Sequence, residues 1–145
     1  MKPIAILALA ASLAACGGGS TRSAEATARA WSAALNKADN DAAANLFAPP
    51  AEIIQNGELI LRTHRDAVRW NEGLPCGGQV TRVIRQGEDQ VLVVFRLTER
   101  PGHHCDAPGI EAATVFRVER GKIVLWRQTA LPDEAPAPSG SGPPI

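Results

Sequence analysis

Four apolar segments in the second half of the chain constrain its fold more than any other feature. They span residues 79–86, 90–98, 110–119 and 122–130. The second is rich in β-branched residues, too short for a typical helix, and bounded by Gly87-Glu88-Asp89 and Pro101-Gly102. Arg120-Gly121 separates the last two segments closely enough for a tight hairpin. The sequence therefore predicts a folded antiparallel sheet.

The first sixteen residues have the layout of a secretory signal. Lys2 precedes an apolar run over residues 4–13 that is too short to span a bilayer. Leu13-Ala14-Ala15-Cys16 resembles the bacterial lipobox, whose cysteine becomes the lipidated first residue of the mature protein. A buried N-terminal helix would explain neither Lys2 nor the glycines that follow the cysteine. We therefore predict a signal peptide over residues 1–15 and lipidation of Cys16.

The predicted lipid on Cys16 would place the protein at the cell envelope. Residues 16–23, rich in glycine and serine, would tether the domain close to the bilayer. Gly17, rather than Asp, after the cysteine resembles outer-membrane sorting, with the domain on the periplasmic face. We expect the membrane to be a partner only through this lipid anchor.

The rest of the chain suits one domain followed by a tail. Residues 24–131 are enough for one core and too few for two. Fifteen Lys and Arg residues balance fifteen Asp and Glu residues, which argues against nucleic acid as the main partner. Residues 132–145 are rich in Pro, Gly and Ser and are predicted to be disordered.

Three helices are predicted ahead of the long strands. The first, over residues 24–37, presents one apolar face made of Trp31, Ala34, Leu35 and Ala38. Thr63 caps the third, and Asp66 takes the acidic position of a capping box. The order of helices and strands predicts an α+β fold with helices on one face of an antiparallel sheet.

A second helix and a short hairpin are predicted between the first and third helices. Asp39 is a good N-cap for a helix that buries Leu46 and Phe47 and ends at Pro49-Pro50. An edge strand is expected over residues 52–55. Asn56-Gly57 is the strongest hairpin signal in the chain, and residues 59–62 form the expected return strand.

These segments together resemble the nuclear transport factor 2-like superfamily, which includes ketosteroid isomerases and polyketide cyclase-like proteins. The resemblance rests on four matches in this order: residues 31–39, Leu46-Phe47-Ala48, residues 63–68, and residues 116–126 with their Gly-Lys-Ile step. It covers nearly all of residues 24–130. It implies a curved sheet wrapped by helices into a cone, with a pocket between them. It also implies a homodimer formed through the sheet.

The resemblance to the isomerase branch also implies three catalytic positions in this sequence, and the residues found there suit none of the three roles. Trp31 occupies the position of an oxyanion-hole Tyr, Gln55 that of the catalytic base, and Thr114 that of a second acid. Gln cannot accept a proton near neutral pH, Trp offers only an N–H donor, and Thr is a weaker donor than a carboxylic acid. We therefore predict no catalytic residue.

The same positions still predict a binding cavity. Strand alternation places Ala112, Thr114, Phe116 and Val118 on one face, and Val124, Trp126 and Gln128 on one face of the next strand. Trp31, Gln55, Thr114, Phe116 and Trp126 are the predicted pocket residues. The alternative is that Trp31, Phe116 and Trp126 fill the core. Core filling is favoured, because the chain has only six aromatic residues and buried aromatics dominate small cores.

Cys76 and Cys105 predict a disulfide. If the first long hairpin turns at Glu88, Cys76 lies opposite Arg100, beside the loop that holds Cys105. An exported protein occupies a compartment that permits disulfides. Free thiols are the alternative. A metal site formed with His103 and His104 is disfavoured, because three consecutive residues rarely face one ion, so we predict neither metal nor cofactor.

The sequence leaves two classes of function open. The leading hypothesis is a lipid-anchored envelope protein whose non-catalytic domain binds a small apolar ligand or an envelope protein. Outward-pointing residues of the sheet would form the protein-binding surface: Arg82, Arg96, Arg117 and Arg127. An ordinary solvated face is the favoured reading of that surface. The alternative function is a small enzyme of polyketide cyclase or isomerase type that uses His64 or another polar group.

Overall fold

Three helices pack on one face of a curved six-stranded sheet, as the α+β prediction required. The computed structural model describes residues 21–133. The predicted signal peptide (residues 1–15), Cys16, most of the tether and nearly all of the C-terminal tail lie outside the described residues. The helices are α1 (Ala24–Asn36), α2 (Asn40–Ala44) and α3 (His64–Gly73). The strands are β1 (Phe47–Ile54), β2 (Glu58–Leu61), β3 (Gly77–Arg85), β4 (Gln90–Thr98), β5 (Glu111–Glu119) and β6 (Lys122–Thr129).

Side-chain caps fix where the helices begin. Ser23 accepts a hydrogen bond from the backbone of Ala26 at the start of α1, and Asp39 caps α2 as predicted. At α3 the Thr63 hydroxyl accepts from the Asp66 backbone at 3.1 Å, and the Asp66 carboxylate accepts from the Thr63 backbone at 3.0 Å. The hydrogen bond with Thr63 lowers the pKa of Asp66. The predicted capping box is therefore present.

The segment after α2 differs from its prediction. The helix ends at Ala44, and Phe47 begins β1 rather than completing a helical face. Pro49-Pro50 lies inside β1, where the pairing with β6 shifts register between Phe47 and Glu52. A proline cannot donate to a sheet ladder, so it is tolerated where the ladder is interrupted. The expected edge strand is also wrong, because β1 lies between β2 and β6.

The strand order across the sheet is β2-β1-β6-β5-β4-β3. All neighbours are antiparallel except β1 and β6, which run parallel. β6, the last strand within the described residues, therefore lies in the interior of the sheet and joins the β1–β2 hairpin to the β3–β5 meander.

Two register shifts decide which side chains face the helices. In β3, Val80 pairs with Phe95 but Arg82 pairs with Val94, so the register shifts at Thr81. In β6, Arg117 pairs with Leu125 and Val118 with Ile123, so the shift falls at Val124. Ile123, which is fully buried, joins Trp126 in the main core. The expectation that Val124 shares the face of Trp126 is therefore wrong, because strict alternation does not survive a register shift.

The main core lies between the helices and the sheet. Its centre is an aromatic cluster in which Trp31 contacts Trp70, Phe95, Phe116 and Trp126 at centroid distances of 5.5–6.3 Å. Phe47 joins through Trp70 at 5.7 Å. All six aromatic residues of the chain are thus in one connected cluster. A smaller cluster occupies the opposite face of the sheet: Leu92, Val94, Ala113 and Val115.

Candidate functional site

A cavity of about 160 Å³ opens between the C-terminal half of α1 and one end of the sheet. The C-terminal ends of β4 and β6 and the beginning of β5 line one side of it, and the segment that leads into β3 lines another. The lining residues are Trp31, Ser32, Leu35, Gln55, Leu74, Pro75, Cys76, Gly77, Gly78, Phe95, Leu97, Ala112, Thr114, Trp126 and Gln128. The site is therefore an apolar hollow with few polar groups, as small-molecule sites usually are.

Residue size along β5 explains why the hollow exists at this end. Ala112 and Thr114 line the cavity, whereas Phe116 and Val118, on the same face, are buried in the core. Small side chains near the start of the strand leave space, and large ones near its end occupy it. Gly77 and Gly78 form part of the neighbouring wall, where the side chains of Asn36 and Phe95 lie close to their backbone.

The polar groups of the wall are hydroxyls and amides. Thr114 is 3% exposed and pairs across the strands with Gln128. Gln55 and Gln128 are exposed residues where the cavity meets solvent. The Ser32 hydroxyl is already engaged, because it donates to the Gly78 carbonyl at 2.7 Å. Among the lining residues there is no Asp, Glu, His, Lys or Arg, and Cys76 is oxidised.

The wall segment before and at the start of β3 is held by three attachments. Cys76 and Cys105 form a disulfide, with their sulfur atoms 2.08 Å apart. The Asn36 side chain binds the backbone of Gly78 on both sides, donating to its carbonyl at 2.9 Å and accepting from its N–H at 2.8 Å. A Cβ on Gly77 would lie 2.4 Å from the same amide oxygen, so this close approach requires glycine.

Arg100 provides the third attachment. Its guanidinium is 3% exposed and donates to the carbonyls of Asn71 and Leu74 at 2.9 and 2.7 Å, and to the Asn40 side chain at 2.6 Å. Burial lowers the pKa of Arg100. Because the carbonyls at a helix C-terminus lack partners within the helix, this cation closes the end of α3 and fixes Leu74 in the wall.

The two tryptophans of the wall differ in how their indole N–H groups are satisfied. Trp31 Nε1 donates to Asn71 Oδ1 at 2.8 Å, and the Asn71 amide donates in turn to the Ala67 carbonyl at 2.8 Å. Trp126 Nε1 is buried and has no acceptor within residues 21–133. A buried donor without a partner costs about 1–3 kcal/mol; Nε of Arg100 and Nε of Arg117, which do not line the cavity, are the other such atoms in the described residues.

Four of the five predicted pocket residues meet around this cavity: Trp31, Gln55, Thr114 and Trp126. Phe116 does not line it, and its side chain is fully buried against Trp31 and Phe95. Trp31 and Trp126 both pack in the core and border the hollow, so the two readings of these aromatics are not exclusive.

Sequence reasoning missed Phe95, Asn71 and Arg100. Phe95 could have been found, because it follows Val91 and Val93 at a spacing of two on the inner face of β4. Asn71 and Arg100 gave no signal of their own, since a buried Asn or Arg can be recognised only from the groups that surround it.

The histidines lie away from the cavity wall. His64 pairs with Asp41 at 2.9 Å between α3 and α2, and both side chains are largely exposed. His103 contacts the carbonyls of Glu72 and Pro101. Within the described residues no group of three or more His, Cys, Asp or Glu side chains is placed to hold a metal ion.

The opposite face of the sheet carries the arginines proposed as a partner surface. Arg82 pairs with Val94, and Arg127 pairs with Val115, both of which belong to the smaller cluster on that face. Arg96 and Arg117 lie two residues beyond Val94 and Val115 on their strands, which places them on the same face. In residues 21–133, no helix has the length and apolar character needed to cross a membrane.

Comparison with known proteins places this architecture. The model of the SnoaL-like domain matches residues 28–126. No curated sequence matches the chain. A nuclear transport factor 2-like protein of unknown function from Cytophaga hutchinsonii is similar in structure, with a TM-score of 0.61 and 13% identity over 77% of this chain and 92% of its own.

Two further solved structures are similar at the level of the fold. A proposed polyketide cyclase from Sinorhizobium meliloti has a TM-score of 0.57 and 20% identity, over 71% of this chain and 93% of its own. A protein from Catenulispora acidiphila with a ketosteroid isomerase-like fold, in complex with trimethylamine, has a TM-score of 0.54 and 17% identity, over 72% and 84%.

Proposed function

Since the chain belongs to the SnoaL-like domain family, within the nuclear transport factor 2-like superfamily, we propose that it binds one small, uncharged, largely apolar molecule without converting it. In this proposal the domain is a carrier or sensor held at the cell envelope. The observation that carries the proposal is the absence of any ionisable side chain among the residues that line the cavity.

Proton transfer, which isomerases and cyclases of this fold class would require, needs a group that can gain or lose a proton in contact with the substrate. The wall offers only hydroxyl, amide and indole groups in that role, contributed by Thr114, Gln55, Gln128 and the two tryptophans. His64, the residue on which the enzyme alternative rests, is paired with Asp41 on the helices and is not a lining residue. These facts favour binding over catalysis.

The size of the cavity limits the ligand. An engineered protein cavity of about 150 Å³ accommodates benzene, so a hollow of about 160 Å³ suits a molecule of similar scale. The Catenulispora acidiphila structure contains trimethylamine, which supports the idea that this fold can hold molecules of that scale. A steroid or polyketide is larger than benzene and would extend from this hollow into solvent.

The location and the partners of the domain belong to the same proposal. Lipidation of Cys16, with residues 16–23 as a tether, would keep the domain on the periplasmic face of the outer membrane. The arginine-bearing face of the sheet is turned away from the cavity, so an envelope protein or a second copy of the chain could contact it while the cavity is occupied. The motif at Leu13-Ala14-Ala15-Cys16 supports the anchor.

The proposal is tested by purifying the full chain from membranes of a bacterial host and extracting it with solvent. Mass spectrometry of the extract should show a small neutral molecule in near-stoichiometric amount, and the mass of the intact protein should show a lipidated Cys16. Ala112→Leu is the matched control, because the added side chain would project into the cavity. This variant should carry no ligand and retain the lipid.

A reaction product released by the purified protein, with turnover lost in Ala112→Leu, would contradict the proposal in favour of the enzyme. Equal amounts of extracted molecule from both proteins would show that the ligand lies outside the cavity. A soluble chain with an unmodified Cys16 would remove the envelope anchor and leave the binding proposal to stand or fall separately.

A further inference from the structure

The indole N–H of Trp126 is the one polar group of the described cavity wall that is buried without a partner. Trp126 is 5% exposed, and Trp31, which lines the same cavity, is 4% exposed. Their rings lie 6.1 Å apart. Only Trp31 has an acceptor for its N–H, the side chain of Asn71. Equal burial therefore comes with opposite hydrogen-bonding states.

The surroundings of Trp126 show why the protein itself supplies no acceptor. Its sheet neighbours are Ile53 on β1 and Phe116 on β5, both apolar. On the helix side it packs edge-on against Trp70 at 5.0 Å and against Trp31. The next pair of lining residues along β5 and β6 is Thr114 and Gln128, and both of these side chains are polar. Trp126 thus lies between the filled core and the open cavity.

Resting on the proposed function, we infer that the ligand presents a neutral hydrogen-bond acceptor, such as a ketone, ester or lactone oxygen, to Nε1–H of Trp126. Folded proteins pair nearly all buried donors, so an unpaired one beside a cavity favours an acceptor that arrives from outside the chain. Nε1 is closed to water in the free protein, so the acceptor reaches it only after the side chains that cover it shift.

The charge and size of the wall narrow the chemical class further. No lining residue would neutralise a carboxylate or a phosphate, so an anionic acceptor would enter without a counter-charge. The Thr114 hydroxyl offers the ligand a second polar contact in the same cavity wall. The ligand class is therefore a compact uncharged carbonyl compound of about six to ten non-hydrogen atoms, the scale of benzene or slightly larger.

The test compares cyclohexanone with methylenecyclohexane, which share their shape and differ in an exocyclic oxygen against a CH₂ group. Both are titrated into the full chain labelled with ¹⁵N, and the three indole N–H resonances are followed by NMR. Trp126→Phe identifies the Trp126 resonance by its loss. The ketone should move that resonance downfield, and the alkene should leave its hydrogen-bond state unchanged.

Affinities give a second, independent readout. The ratio of ketone to alkene affinity should fall by about 3- to 10-fold in Trp126→Phe, the range of one net hydrogen bond. Trp70→Phe is the matched control, because Trp70 packs against Trp126 at 5.0 Å without lining the cavity, and it should leave the ratio unchanged. If Trp126→Phe fails to fold, Trp31→Phe and Trp70→Phe identify the other two indole resonances, and the shift of the remaining one in the unaltered chain decides the matter.

The outcomes separate the two proposals. If both probes bind, the ratio is unchanged in Trp126→Phe and the ketone does not move the Trp126 resonance, the acceptor inference is wrong and ligand binding stands. If neither probe nor any extracted molecule occupies the cavity, ligand binding itself fails and the acceptor inference fails with it.

Discussion

The two ends of the space between α1 and the sheet are built from the same strands, yet one end is filled and the other is open. At the filled end, Phe116 and Ile123 are fully buried. At the open end, Ala112 and Thr114 line a cavity of about 160 Å³. The comparison teaches that one fold can combine a stable core with a binding hollow by changing side-chain size along a strand, without changing the strand itself.

The largest expected effect comes from emptying the filled end. Phe116→Ala should lower the free energy of unfolding by about 3–5 kcal/mol, because it leaves a void beneath Trp31 and Phe95. Thr114→Ala, on the same strand face but beside existing space, should cost less than about 1.5 kcal/mol. Urea unfolding of both variants measures the difference. Equal losses would mean that the open end is packed as tightly as the core.

Removing the disulfide should destabilise the open end more than the filled end. Cys76→Ser with Cys105→Ser should lower the free energy of unfolding by roughly 3 to 4 kcal/mol, since the bridge closes a loop between residues 29 positions apart. Cys76 lies in the cavity wall, so local opening should increase most there. Hydrogen exchange should therefore accelerate at Gly78 more than at Phe116 when compared with the oxidised chain. Uniform acceleration at both sites would show that the bridge stabilises the fold without any bias toward the wall.

A single methyl group gives the smallest and sharpest test. Gly78→Ala should cost about 1–3 kcal/mol, because the new Cβ would lie 3.0 Å from the ring of Phe95. Gly73→Ala meets nothing within 4 Å and sits in α3, so it should be neutral or stabilise by up to about 1 kcal/mol. Thermal unfolding of the two variants gives the comparison, and a neutral Gly78→Ala would show that this wall yields easily.

Much of the fold could be predicted from local signals. The capping box at Thr63 and Asp66, the Asn56-Gly57 turn and the long strands depend on residues close together in sequence, and the structure has them in the expected places. The path from Phe47 to Pro50 could not be predicted, because the strand partner of Phe47 is Ile123 on β6, near the other end of the domain. The prediction that Val124 shares a face with Trp126 was wrong for a similar reason, since a register shift depends on how two strands pair and not on one strand alone.

The sequence indicated which residues surround the candidate site, but not that the site would be an open cavity. Family resemblance and strand alternation located Trp31, Gln55, Thr114 and Trp126, which the structure brings around one cavity. Neither could say that space would remain between them, since free volume depends on how every neighbouring side chain packs. The unpaired Trp126 N–H belongs to the same category, because a missing partner is visible only in three dimensions.

The interior position of β6 has a consequence for the order in which the domain can assemble. β6 follows the other described strands along the chain and joins β1 to β5, so the β1–β2 hairpin has no sheet to dock against until residues 122–129 are in place. Pairings between distant segments also slow folding. A chain that ended before β6 would therefore lack the strand that unites the two halves of the domain.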